Sequence, residues 1–268
     1  MSNVPARVAD RLKSSLKDFQ AIVQSAKSRD VNESDTVIIV TDMLSAVFGY
    51  DKYSEITSEL CIRGTYCDLA TKVEGKIQTL VEVKAIGTEL KDNHSRQAVD
   101  YAAGSGVEWV VLTNAVQWKI FKVIFGKPID QELILDFDIL SLNPKKDEDI
   151  EPLYLLAKEG WTKSALEDYD TERQALSRFS LAAVLTSDAV LKLTRRQLKQ
   201  MSPDVKIDLE QIRTVLEQEV LKRDVIEGDK AEEARKRVAR ANRPKRAKPV
   251  EEIAVAAAAA QANTQQPS

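Results

Sequence analysis

Asp68, Glu82 and Lys84 stand in the stretch "YCDLATKVEGKIQTLVEVKAIG", residues 66–87, among the β-branched and apolar residues that sheets bury. The periodicity of two predicts strands over 66–73 and 77–86, joined at Glu74-Gly75-Lys76. With Val73 facing Ile77, Asp68 lies directly opposite Glu82, and a one-residue slip would send them to opposite faces. Alternation puts Leu80, Glu82, Lys84 and Ile86 on one side, and Val81, Val83 and Ala85 on the other, which reads as the core side. Two carboxylates facing each other across a strand pair have β-carbons about 5 Å apart and destabilise the sheet unless a positive charge offsets them. A hard divalent cation such as Mg2+ does so, taking carboxylate oxygens and waters and leaving positions for a substrate phosphate. Lys84, on the same face, would orient or deprotonate an attacking water, or neutralise charge developing on the phosphate. The plainer alternative is an ion-pair ladder on a solvated sheet face, with Lys84 balancing the two acids.

Further along, Gln97 and Tyr101 in "RQAVDYA" are four apart and so share one helix face. Packed beside the hairpin, that helix would aim Gln97 at a substrate backbone or a metal-bound water, with Tyr101 below it; an ordinary surface pair is the alternative. His94, the sole histidine, reads as a solvated residue at the helix start, and Trp109, Trp118 and Trp161 read as packing anchors.

The elements that must position these residues follow from pattern. Val8, Leu12, Leu16, Phe19, Ile22 and Val23 predict a helix over 5–29. A second helix, capped by Asn32 or Ser34, buries Val37, Val40, Met43, Leu44, Val47 and Phe48 and stops at Gly49. The sheet begins near residue 57. After the hairpin comes a helix capped by Asp92 or Asn93 and ended by Gly104 or Gly106, then the strands "VEWVVLTN" and "QWKIFKVI". The order strand, strand, helix, strand, strand predicts a mixed α/β core of about 100 residues. Helical segments are expected near 153–159, 163–184, 188–200 and 208–224, the last opened by Asp208 and Gln211 as a capping box.

In that order, "TYCDLATKVEGKIQTLVEVKAIG", "RQAVDYA" and "VEWVVLTNAVQWKIFKV" resemble the PD-(D/E)XK nuclease superfamily. More narrowly they resemble the amino-terminal nuclease domain of type I restriction enzyme R subunits, over about residues 44–125. The resemblance implies a restriction-endonuclease-like α/β fold, a mixed sheet flanked by helices, that hydrolyses DNA phosphodiester bonds with Mg2+. It makes Asp68 and Glu82 the metal-binding acids, Lys84 the catalytic lysine, and Gln97 with Tyr101 the motif after the core sheet. An earlier acid of that family corresponds to Glu59 in "TSELCIRGTYCD". The implied partners are DNA and other restriction or defence subunits. Three departures stand out. Cys67 replaces the Pro of the superfamily name, and Ala115 in "TNAVQW" replaces a turn Gly, which implies a looser hairpin. There is no GxxxxGK[ST] loop, and the chain is too short for a motor domain. A non-catalytic member of the same fold that binds nucleic acid or a partner protein stays open, as does RNA as substrate.

Composition sets the frame. The chain has 268 residues, 43% hydrophobic and 30% charged, enough for a sizeable core plus an accessory region. Its formal net charge of -3 means that phosphate binding must use a local basic surface. Such a surface lies in "DKAEEARKRVARANRPKRAK", which carries nine Lys or Arg against three Asp or Glu. Arg235, Lys236, Arg237, Arg240, Arg243, Lys245 and Arg246 are its candidate nucleic-acid-binding residues; a solvated tail is the alternative. The expected divisions are amino-terminal helices over 1–50, the nuclease-like core over 51–144, a helical accessory region over 145–227, and a basic then Ala/Gln-rich disordered tail over 228–268. Cys61 and Cys67 are too few for a disulfide framework or zinc site and read as inert small hydrophobes. With no signal-peptide pattern and no apolar run of about 18 residues, a cytoplasmic, non-membrane protein is expected.

Overall fold

The structure, a computed structural model, describes residues 4–62 and 65–242, and the side chains of 61, 62, 65, 66 and 92 lie outside the described set. The chain divides into two units, Met1–Glu172 and Arg173–Ser268. Among the described residues no helix is long and apolar enough to cross a membrane.

The first unit opens with α1 (Ala6–Ser28) and α2 (Glu33–Ala46). Asn32 caps α2 by accepting from Asp35 N at 2.9 Å. Then come β1 (Ile56–Ile62), β2 (Thr65–Val73), β3 (Lys76–Val83), α3 (Asp92–Ser105), β4 (Trp109–Thr113), β5 (Gln117–Ile124) and β6 (Asp130–Asp138). The helices α4 (Asp147–Leu156), α5 (Lys158–Thr162) and α6 (Ala165–Ala175) follow. The six strands form one mixed sheet in the order β1-β2-β3-β4-β5-β6, antiparallel throughout except that β3 and β4 run parallel. Parallel neighbours need a crossover, and α3 supplies it.

Both faces of the sheet are buried, because helices lie on each. On one, Leu69, Val81, Val83, Val111, Trp118 and Ile120 pack with the apolar stripes of α1 and α2 and with Ile150, Leu153, Leu156 and Trp161. On the other, Ala70, Leu80, Val110, Leu112 and Phe121 pack with Ala98, Val99 and Ala102 of α3. The three tryptophans are all buried packing residues.

Several expectations need correction. The face carrying Leu80 is as much core as the face carrying Val81, since α3 covers it. Cys67 is buried with Leu80 and Ala70, opposite to the side that strict alternation from Val81 gives, while the Cys61 side chain lies outside the described set. The sixth strand, β6, was not foreseen; Asp130, Glu132, Asp136 and Asp138 interrupt its apolar pattern. Helix α3 starts at Asp92 with Lys91, not Asp92 or Asn93, at the capping position, and Gly106 ends it at φ 70. Residues 150–166 belong to the first core, not to a separate accessory region beginning at 145.

The second unit holds α7 (Arg178–Leu185), α8 (Asp188–Met201), α9 (Leu209–Val215) running into a π-helical turn (Leu216–Val220), α10 (Arg223–Ile226) and α11 (Asp229–Ala241). The basic segment expected to be disordered from 228 is thus helical to Ala241. The reason is its small-residue face: Ala231 and Ala234 are buried, as are Ala182 and Ala183 on α7, against which α11 packs. Residues 243–268 lie outside the described set.

Candidate functional site

The hairpin of β2 and β3 closes more tightly than its sequence suggests. Val73 pairs with Lys76, so the loop is only Glu74-Gly75, with φ 52 and 77, the double positive-φ conformation of a type I′ turn. A bulge between Thr71 and Lys72 then shifts the register by one, giving Thr71↔Thr79, Ala70↔Leu80 and Leu69↔Val81. The ladder ends at Leu69↔Val81, before Asp68 and Glu82, and Cys67 lies on the Leu80 side, so strict alternation breaks between Cys67 and Leu69.

At that step side-chain bonding replaces the ladder. Asp68 Oδ2 accepts from Val83 N at 2.7 Å, which fixes its carboxylate on the β3 backbone. Glu82 is only 4% exposed, so a ladder on a solvated face is not its environment. Its Oε1 accepts from Lys84 Nζ at 2.7 Å. Burial raises the pKa of Asp68, against the lowering by the Val83 N–H and Lys84. Burial likewise raises that of Glu82, with the Asp68 charge adding to it and the Lys84 bond opposing. Burial would lower the Lys84 pKa, but Glu82, Glu33 and Asp68 together raise it, and the amine stays charged.

Glu33 was missed from the sequence. It opens α2, and its Oε2 lies 3.7 Å from Lys84 Nζ. The loop between α1 and α2 meets the segment after β3 nearby, where the Asp30 carboxylate lies close to Gly87. Asn114 was missed too. Its Nδ2 donates to Ile86 O at 3.3 Å and Thr88 O at 2.9 Å, while its Oδ1 accepts from Val116 N at 3.1 Å and Gln117 N at 2.7 Å. Together with Lys84 N donating to Thr113 O at 2.8 Å, this ties the stretch after Lys84 to the β4–β5 turn. That turn is not loose: Ala115 is fully buried and adopts φ 68 itself. A motif search favours charged residues inside strands; it has no rule for a neutral side chain that bonds four backbone groups.

The remaining candidates are separate from this cluster in their bonding. Glu59 is exposed, at φ 48, where β1–β2 pairing passes from Ser58↔Leu69 to Leu60↔Cys67. Glu33, not Glu59, is the additional acid at Lys84. Gln97 Nε2 donates to Tyr101 OH at 2.5 Å, so this pair on α3 bonds to itself, with Gln97 exposed. His94 Nδ1 accepts from Lys91 N at 3.3 Å, as a helix-start residue. In the second unit, Arg237 bonds Gln174 Oε1 at 2.8 Å and Lys236 pairs with Glu232 at 3.0 Å, while Arg235 and Arg240 are exposed on α11. Arg243, Lys245 and Arg246 lie outside the described residues.

Among the described residues no group of three or more His, Cys, Asp or Glu side chains is placed to hold a metal ion. Asp68 and Glu82 are the two carboxylates here that could hold a metal between them. Such a set suits Mg2+, which keeps several waters and takes one or two carboxylates, and does not suit an ion that needs a full protein cage. Two neighbouring carboxylates, both partly desolvated, with one oxygen of Asp68 pinned by a backbone amide, can share a hard cation at little cost in rearrangement of the first acid. Comparison of the chain with protein-family models, curated protein sequences and solved structures finds no match.

Proposed function

We propose that this chain is a Mg2+-dependent nuclease of the restriction or DNA-processing type, on a restriction-endonuclease-like fold. The observation that carries the reading is the convergence of Asp68, Glu82 and Lys84 at the end of β3, with both acids held partly out of water and raised in pKa. A stable sheet has no need of three charges there, because buried ion pairs seldom stabilise more than apolar residues of similar size.

In this reading Asp68 and Glu82 would hold Mg2+, and the chemistry the ion would supply there is Lewis-acid catalysis of phosphodiester hydrolysis. Val83 N–H keeps Asp68 in one orientation. Lys84 presents a charged ammonium toward the scissile phosphate, where it orients the attacking water and balances charge as the oxyanion develops. Gln97 contacts the substrate backbone once it leaves Tyr101. The exposed basic residues of α11 add affinity for phosphates that is independent of base sequence. DNA is the partner, with other restriction or defence subunits as further ones.

A second reading has its own support. Lys84 already neutralises Glu82 at 2.7 Å, as a purely structural ion pair would. A non-catalytic nuclease-fold protein that binds DNA or a partner would retain that pair. The test is incubation of the purified chain with linear, circular and single-stranded DNA and with RNA, with and without Mg2+. The nuclease reading expects Mg2+-dependent cutting that Glu82→Ala and Lys84→Ala both abolish while the circular dichroism spectrum is kept. Unchanged cutting by both variants refutes the assignment of Glu82 and Lys84, whereas DNA binding without any cutting and indifferent to Mg2+ gives the second reading.

A further inference from the structure

Around Lys84 stand three carboxylates, those of Glu82, Asp68 and Glu33, whose charges all act on its amine. With Lys84 charged, the group has an excess of two negative charges, the amount a divalent cation cancels. The difficulty is Glu82. Its Oε1 is 2.7 Å from Lys84 Nζ, and an ion bound to that oxygen would sit within hydrogen-bond range of an ammonium. Like charges that close repel strongly in a site where Glu82 is 6% and Lys84 21% exposed. A cation that takes Oε1 therefore displaces the ammonium, whereas one held by Oε2 alone leaves it in place. Asp68 cannot receive it, being the second cation ligand with Oδ2 already bonded to Val83 N.

We propose that Glu33 is a positioning residue that receives the Lys84 ammonium when a divalent cation takes Oε1 of Glu82. This rests on the nuclease reading for the identity of the cation. Glu33 Oε2 is 3.7 Å from Lys84 Nζ, so a small side-chain rotation makes the bond. Its carboxylate lies in the first turn of α2, where unpaired backbone amides favour negative charge. The Asn32 cap and the close approach of Asp30 to Gly87 hold that turn against the segment following Lys84. Glu33 thus keeps the ammonium beside the cation without letting it compete for Glu82.

The test is a double-mutant cycle read by Mg2+ affinity, not by cutting. Wild type, Glu33→Gln, Lys84→Met and the double variant are titrated with MgCl2 by calorimetry, with thermal melting to establish that each is folded. Glu33→Gln is expected to weaken Mg2+ binding about fivefold when Lys84 is present, the scale of a partly exposed ion pair. In the Lys84→Met background the same change should alter affinity by less than about twofold. An equal loss in both backgrounds makes Glu33 a direct cation ligand and overturns the proposal, as does no loss in either. If Lys84→Met does not fold, Lys84→Gln takes its place. Absence of Mg2+ binding by wild type overturns the metal reading and this inference together, whereas Mg2+ binding with intact coupling but no DNA cutting overturns only the nuclease reading.

Discussion

Replacing Lys84 by Met keeps the length of the side chain and removes its charge, leaving Glu82 without its ion-pair partner at 4% exposure. Breaking a buried pair by removing one partner costs about 3–5 kcal/mol when the remaining charge stays ionised. Glu82 has an escape, however: it can take up a proton. Starting from the ordinary glutamate value near 4.3, protonation costs about 1.4 kcal/mol per pH unit above it, hence about 1 kcal/mol at pH 5 and about 5 kcal/mol at pH 8. The loss at pH 5 is therefore capped near about 1 kcal/mol, while at pH 8 it approaches about 3 kcal/mol after allowing for the partial exposure of Lys84. The sign agrees with linkage. Burial raises the folded pKa of Glu82, and loss of Lys84 raises it further, so the folded state binds more protons than the unfolded one and stability falls as pH rises through the interval between the two pKa values. Urea denaturation followed by tryptophan fluorescence reports the first unit, because Trp109, Trp118 and Trp161 all lie within residues 1–172. A loss below about 0.5 kcal/mol at pH 8, in the range of ordinary surface substitutions, or a loss equal at both pH values, would refute the burial argument.

Asp68→Ala should remove measurable Mg2+ binding by calorimetry and with it the Mg2+-dependent rise in Tm that binding to the folded state alone produces. Asn114→Ala deletes four hydrogen bonds to backbone from a residue 7% exposed and should destabilise the first unit by about 2–4 kcal/mol in the same urea assay. It should also weaken Mg2+ binding, since the segment after Lys84 loses its anchor to the β4–β5 turn. The triple variant Asp68→Asn/Glu82→Leu/Lys84→Met replaces the charged group by apolar and neutral side chains beside Leu80 and Leu112. It should be at least as stable as wild type, by about 1–4 kcal/mol at the upper end, and bind no Mg2+.

Much of the scaffold is legible from the sequence because single-residue periodicity suffices for it. Val8, Leu12, Leu16, Phe19 and Val23 mark the buried stripe of α1, and all are buried in the structure. The strand pair that carries Asp68 and Glu82 is legible as well, although its turn is two residues long and a bulge lies at Thr71/Lys72. What is not legible depends on contacts between elements. Glu33 lies 3.7 Å from Lys84 across elements 51 residues apart in sequence, and nothing local to either residue announces that contact. The burial of Glu82 depends on α3 covering its face, and an isolated hairpin with alternating charge looks the same whether water or a helix lies above it. The strand β6 was not read from the sequence, where four acids interrupt a segment whose Ile134 and Phe137 pack into the core.

The burial of Glu82 alters the weight of the remaining argument. Three charges on a solvated face are nearly neutral in energy and carry no message. Here Glu82 is 4% exposed, burial pushes both Asp68 and Glu82 up, and one ammonium stands among Asp68, Glu82 and Glu33. In the metal reading the group with its acids ionised carries two uncompensated negative charges, beside a backbone that Asn114 ties to the β4–β5 turn. A rigid frame around a group that is electrically incomplete is what binding of a small, doubly charged ion requires, because the frame carries the ordering entropy before the ion arrives. The triple variant separates the two contributions: a frame that gains stability when the charges are removed shows that the charges were not there for the frame.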